Sequence, residues 1–235
     1  MGCKPGFKGY NTTIPRYTRQ SSMGPSRLIE VDPEARRMGA EVRYIIVDNV
    51  EVGPSSLVAQ KVQDIVERFR ENIGDMEALA RHPHVRAYRK LFWSMKVDPT
   101  KTRPSPEALA RRVIRTGRLP SINSVVDSGN AASLYTLVSI GLYDLDKAEP
   151  PLRVKVLEGG VFKPIGGGEA RVPQGMMGLV DGHGRIIHLY AHRDSRETMI
   201  TESTRRVLAV AYGAPGIRAE DLDASLRLFL EVLKG

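Results

Sequence analysis

Two amides and a carboxylate, Asn123, Asp127 and Asn130, lie among small and β-branched residues in the stretch SINSVVDSGNAASLYT, residues 121–136. At 100° per residue these three side chains fall within about 60° of one another on a helix. Such a set could line a ligand pocket. It could equally belong to a helix start, because Ser124 and Asp127 match the Ser-x-x-Asp form of a capping box. The residues alone leave both interpretations open.

Two further groups downstream could do chemistry. The stretch HRDSRETMITESTRR packs His192, Asp194 and Thr204 with other polar residues, and it could form a pocket wall or an exposed loop. The run Gly166, Gly167, Gly168 could cradle an anion through its backbone N–H groups, or form a wide hairpin turn. It lacks the Lys-Ser/Thr ending of a phosphate-binding loop.

Metal and triad chemistry find little support in the sequence. His82 and His84 flank a proline, and His188 and His192 are four residues apart in a stretch that reads as strand, so their side chains need not converge on one metal. No Ser-His-Asp or Cys-His order can be assigned. We expect no metal site and no cofactor.

Positive charge is concentrated in two segments of this chain, whose formal net charge is +8. Residues 1–27 contain five Lys or Arg and no acid, and residues 81–118 contain eleven against two acids. Clustering of this kind indicates a polyanion partner, RNA above all, although a solvated basic face is the simpler alternative. We expect Arg103, Arg111, Arg112 and Arg115 to bind tRNA phosphates.

Hydrophobic periodicity predicts an α+β fold. Part-alternating stretches predict strands after residue 28, and an i, i+3, i+4 pattern predicts a helix from residue 55 to 72. Two more helices are expected at 84–95 and 106–116, then short strands between glycine turns, and a closing amphipathic helix. Residues 1–27 read as a flexible basic tail, and residues 28–235 as one domain with a β-sheet core flanked by helices.

Composition bears on location. The single cysteine, Cys3, excludes an internal disulfide and suits a reducing compartment. We find no apolar run of membrane-spanning length and no apolar signal core at the start. The expectation is a cytoplasmic protein without a membrane partner.

Read with its neighbours, the stretch of residues 121–136 resembles the B3/B4 tRNA-editing domain of the bacterial phenylalanyl-tRNA synthetase β subunit. The resemblance spans about residues 81–213 and is most specific in 105–147. That family has a Ser-Pro…Leu helix, an IN-x-VVD-x-x-N segment and an aromatic-Asp-LDK segment. The matching residues are Ser105, Pro106, Leu109, Ile122, Asn123, Val125, Val126, Asp127, Asn130, Tyr143, Asp144, Leu145, Asp146 and Lys147.

The resemblance implies a freestanding relative of that domain, acting in trans on mischarged aminoacyl-tRNA. Hydrolysis of an ester needs only a held water and donors near the developing oxyanion, which would explain why no triad is found. On this basis we assign catalysis to His192 and Asp194. Substrate contacts would come from Asn123, Asp127, Asn130, Thr204 and the N–H groups of residues 166–168.

The sequence departs from the family at two functional positions. Gly141 stands where the family has a histidine, and Met199 stands where it has the glutamate that recognises a tyrosine hydroxyl. These departures argue against tyrosine as the amino acid removed. They also favour the alternative function, a non-catalytic module that binds tRNA or an amino acid, alongside an aminoacyl-tRNA synthetase.

Overall fold

The structure, a computed structural model, describes residues 28–234. The predicted basic tail, residues 1–27, and Cys3 lie outside the described residues. Five consecutive helices, within residues 56–136, precede a run of seven strands, within residues 139–194, and this segregation confirms the predicted α+β class. The assignment of residues 28–235 to one domain stays a prediction.

A three-stranded antiparallel sheet has strand β10 (Val207–Tyr212) at its centre. Strand β2 (Val42–Val47) pairs on one side of it and β3 (Ser139–Asp144) on the other. All six residues of β10 are buried, as expected of a central strand with both faces covered. The chain thus joins segments more than 60 residues apart around the VLAVAY stretch.

A second sheet contains five strands in the order β1, β4, β7, β8, β9. Their ranges are Ile29–Val31, Leu152–Val156, Met177–Val180, Ile186–Leu189 and Arg193–Asp194. The first pair is parallel and the others are antiparallel. A separate hairpin, β5 (Gly160–Phe162) with β6 (Ala170–Val172), carries the glycine run at its turn.

The helices pack around these sheets. They are α1 (Pro33–Arg37), α2 (Ser56–Asn72), α3 (Met76–Arg81), α4 (Pro83–Ser94), α5 (Ser105–Thr116), α6 (Ser124–Thr136) and α7 (Ala219–Lys234), with a short 3-10 helix at Arg196–Thr198. The stripe predicted for α2 is buried at Val58, Ile65, Val66 and Phe69, whereas Leu57, predicted as part of it, is 54% exposed. The sequence patterns missed α1 and α3, which have only five and six residues.

Two clusters of apolar side chains form the core. The larger one lies among the sheets and α4, and the smaller one joins α2, α5 and α6. Gly129 of α6 lies against Leu142 of β3, where an added Cβ would come 2.6 Å from the leucine Cδ1. The small residues of the stretch 121–136 therefore allow close packing of α6 on the three-stranded sheet.

Candidate functional site

A buried polar cluster joins the two sheets. His188 and Asp194 face each other across the β8–β9 turn, and His188 Nδ1 lies 2.7 Å from Asp194 Oδ1. The His188 ring stacks on Tyr212 of β10 with ring centroids 4.3 Å apart. The Tyr212 hydroxyl is 2.7 Å from the Tyr143 hydroxyl on β3. Four groups from four strands thus meet at one point between the sheets.

The hydrogen-bonding pattern of His188 leaves one ring nitrogen without a partner. An ionised carboxylate only accepts hydrogen bonds, so Nδ1 carries the hydrogen that His188 donates to Asp194. The side chain of His188 is 2% exposed, and its Nε2 is buried with no partner among residues 28–234. The Asp194 side chain is 23% exposed and is the part of the pair that water can reach. Aspartate is one of the residue types that act as general bases where water can reach the carboxylate.

Gly141 leaves the space that the Tyr143 hydroxyl occupies. A Cβ at position 141 would lie 2.1 Å from Tyr143 Oη and 3.1 Å from Asp194 Oδ1. No side chain, including the histidine of the resembled family, fits there without displacing the phenol. Burial, and after it the charge of Asp194, raises the pKa of Tyr143 well above its usual range. The phenol therefore stays protonated and acts as a hydrogen-bonding group.

A small basic cavity lies on the surface of α5. Its volume is about 130 Å³, and its lining residues, called here the arginine pocket, are Arg103, Ala108, Arg111 and Arg115. Three of the four arginines expected to bind phosphate therefore converge on one cavity. The fourth, Arg112, is exposed on α5 but does not line it. Guanidinium groups around a concave site are suited to a phosphate group.

The N-cap of α6 lies one residue before the position that the predicted capping box gives it. The helix begins at Ser124, and Asn123, not Ser124, is the N-cap, its side chain accepting a hydrogen bond of 3.0 Å from Val126 N. Asp127 accepts from Ile122 N at 2.8 Å and from Ser121 Oγ at 3.2 Å. The side chains of Asn123 and Asp127 thus hold the start of the helix. This is the second of the two interpretations that the sequence left open, the first being a ligand pocket. Ile122 precedes the helix and is 62% exposed.

The predicted pocket residues do not all meet. Because side chains alternate along a strand, Leu142 faces α6 while Gly141 and its neighbour Tyr143 face Asp194 on the opposite side of the sheet. Helix α6, with half-buried Asn130, therefore packs on the face away from the Asp194 cluster. We had predicted one site for the α6 amides and Asp194. The sequence contains no information about which face of β3 each segment covers.

The glycine run forms an exposed turn between β5 and β6. Gly166, Gly167 and Gly168 have φ of 103°, 97° and 74°, which only glycine adopts without strain, and an added Cβ on any of them would meet open space. The Gly167 N–H already binds Pro164 O at 3.3 Å, so it is not free as an oxyanion donor. The turn nevertheless begins beside the cluster, because Ile165 N donates to Asp194 O at 3.3 Å.

His192 and Thr204 have structural partners of their own. His192 Nδ1 lies 3.0 Å from Arg103 O, and its ring packs edge-on against Phe92. Burial lowers the pKa of His192, which keeps the ring neutral near pH 7. Thr204 is buried and donates to Asp144 Oδ2 at 2.8 Å. The two predicted catalytic residues, His192 and Asp194, are therefore not hydrogen-bonded to each other. The histidine that contacts Asp194 is His188.

The part of the chain that the structure describes, residues 28–234, contains no group of three His, Cys, Asp or Glu placed to hold a metal ion. None of the helices in this range combines the length and the apolar character required to cross a bilayer.

The described chain is thus an α+β protein with a buried polar cluster between two sheets and a basic helical surface. Comparison of the sequence with protein families matches the B3/4 domain over residues 87–227. The chain belongs to the B3/4 domain family, as the resemblance in the sequence had predicted.

One similar solved structure is an N-terminal fragment of the phenylalanyl-tRNA synthetase β subunit from Pyrococcus horikoshii. It is 15% identical in sequence with a TM-score of 0.49, and the match covers 88% of this chain. The chain spans 48% of the length of that fragment. A search of curated proteins found no match.

Proposed function

We propose that this protein binds tRNA and hydrolyses the ester bond of mischarged aminoacyl-tRNA in trans. Its membership of the B3/4 domain family, together with the sequence resemblance to the synthetase editing domain, supports a link to tRNA. The observation that carries the hydrolytic part is the Asp194 carboxylate, held through one oxygen by His188 and still partly exposed.

A base that water can reach accelerates the hydrolysis of this ester. Asp194 orients a water molecule and accepts its proton as the oxygen attacks the carbonyl carbon of the ester. The C–O bond to the ribose then breaks, the proton passes to the ribose oxygen, and free amino acid and tRNA leave. His188 is a positioning residue, because it acts through Asp194 and is itself buried. Tyr143, neutral and buried, limits the space beside the carboxylate.

The nucleic acid is held by positive charge on the helical surface. The arginine pocket accepts a backbone phosphate, with Arg112 and other cations of residues 81–118 nearby in sequence. Phosphate contacts release counterions, so binding must weaken as salt is raised. For the three arginines of the pocket, log Kobs should fall with log[salt] with a slope of about −2 to −3, between the single-strand and duplex values.

The experiment compares the wild-type chain with Asp194→Asn on a panel of mischarged tRNAs. The amide keeps the shape of the side chain and removes the base, so we expect deacylation to fall by about 100- to 10,000-fold, the usual contribution of a general base. Affinity for tRNA should stay within twofold. Asp64→Asn, an exposed carboxylate on α2, is the matched control and should remain fully active.

A second candidate is a non-catalytic module that binds tRNA or an amino acid, acting with an aminoacyl-tRNA synthetase. The observation in its favour is Gly141, whose missing side chain is replaced by the Tyr143 hydroxyl. Wild-type protein that binds tRNA but leaves every ester of the panel intact would refute the hydrolase and support this module.

A further inference from the structure

Helix α4 exposes a face whose tryptophan has no role in the phosphate contacts proposed above. Arg86, Lys90 and Trp93 fall within about 60° of one another on the helix, and all three are exposed. Trp93 is the only tryptophan of the chain and is 58% exposed. The opposite side of the helix is buried at Val85, Ala87, Tyr88, Leu91 and Phe92. The tryptophan is therefore not needed for the core.

The cations around Trp93 have no acidic partner in the described part of the chain. Arg86, Lys90 and Lys96, which follows the helix, form no ion pair there, whereas Arg89 binds Glu107 through two hydrogen bonds of 2.8 and 2.6 Å. Together with Trp93, the three unpaired cations are called here the α4 basic face. A solvated charged face would not require a large exposed indole among its cations.

Helix α4 is tied to α5 by an ion pair that also involves the arginine pocket. Glu107 of α5 is 1% exposed and contacts Arg89 of α4 and, at 3.5 Å, Arg111 of the pocket. The buried Glu107 carboxylate thus links α4, the helix that carries the basic face, to the arginine pocket on α5, with Arg89 as the contact on α4.

We propose that the α4 basic face binds an unpaired segment of RNA, with Trp93 stacking on a base and Arg86, Lys90 and Lys96 binding the flanking phosphates. This inference rests on the proposed tRNA binding and adds a contact with a base to it. An indole among unpaired cations matches the stacking platform and electrostatic groove by which proteins bind single strands. A protein partner would instead favour an apolar surround, and this face contains cations.

The single tryptophan makes the contact directly measurable. Titration of the full chain with a short single-stranded RNA should quench the emission of Trp93 and shift its maximum. A blunt RNA duplex should bind with less quenching, because its bases are already stacked. Inorganic polyphosphate of equal charge presents phosphates without bases and should leave the emission nearly unchanged.

Variants then test the energetic contribution by fluorescence anisotropy with dye-labelled single-stranded RNA. Trp93→Ala should weaken binding by about 5- to 150-fold, the effect of losing one stacked base. Trp93→Phe should retain most of the affinity. Leu57→Ala, which removes an equally exposed apolar side chain from α2, is the control and should bind like the wild type.

The outcomes separate this inference from the proposed function. If RNA binds while the emission is unchanged and Trp93→Ala binds like the wild type, the stacking site is refuted and tRNA binding stands. Equal responses to RNA and polyphosphate would refute base contact. If the wild-type chain binds no RNA, both proposals fall together.

Discussion

Position 141 offers the sharpest test of the packing between the two sheets. In Gly141→Ala the new Cβ would lie 2.1 Å from Tyr143 Oη and 2.8 Å from Tyr143 Cζ, distances that real Cβ atoms do not show. Because the phenol is fully buried, it must move, and its 2.7 Å hydrogen bond with Tyr212 is strained or lost. The Asp194 carboxylate, 3.1 Å from the new atom, restricts the space into which the ring could shift.

The magnitude follows from two contributions. Overpacking costs about 1–3 kcal/mol, and a weakened buried hydrogen bond adds about 1 kcal/mol, so we expect the free energy of unfolding to fall by about 2–4 kcal/mol. For a chain of this length each kcal/mol lowers Tm by roughly 2–4 °C, which gives a decrease of about 4–16 °C.

Urea unfolding and calorimetry of the wild type and three variants check this expected loss of stability. Gly53→Ala is the matched control, because its Cβ meets nothing within 4 Å, and it should unfold within about 1 kcal/mol of the wild type. In Gly141→Ala with Tyr143→Phe, loss of the hydroxyl should recover part of the stability, so the two changes are non-additive. A Gly141→Ala chain as stable as the wild type would refute the described contact of Tyr143 with Gly141.

Two other predictions concern stability. The pKa of His82 is lowered to about 4, first by burial and then by the charge of His84. The unfolded chain therefore binds a proton at this residue between about pH 6.5 and 4, and stability is lost as the pH falls through that window. His82→Asn keeps an N-cap side chain and should make urea midpoints less sensitive to pH in this range; an unchanged pH profile would contradict the assignment. Glu107→Ala should cost about 2–3 kcal/mol, less than the 3–5 of a fully buried pair, because Arg89 and Arg111 are 32% and 30% exposed. Glu77→Ala, which breaks an exposed pair, should cost under about 1 kcal/mol, and equal losses in the two variants would refute this difference.

Local patterns in the sequence were sufficient to predict the α+β class and the buried stripe of α2. They could not predict which distant strands meet. Tyr143 and Tyr212 are 69 residues apart, and their contact depends on both strands β3 and β10 pairing in one register. Such a register is set by the packing of the whole sheet and leaves no local signal.

The His188–Asp194 pair is a different case, because a signal for it was present. Two short strands around a tight turn place residues 188 and 194 opposite each other. The stretch was interpreted as strand, but without the tight turn that brings Asp194 back to His188, so this pairing was not predicted. The capping error at Ser124 has a similarly local cause, since Asn123 is an equally good cap one residue earlier.

The exposed glycine turn at residues 166–168 has a practical consequence for labelling the protein. Its three Cβ positions face open space, so extra residues or a dye attached there would not touch the core. Insertions at exposed hairpin tips are well tolerated, and doubling a loop costs only about 0.6 kcal/mol in closure entropy. Because Ile165 binds Asp194 through its backbone, a fluorophore on this turn would sit a few residues from the carboxylate and report ligand arrival there without an enzymatic assay.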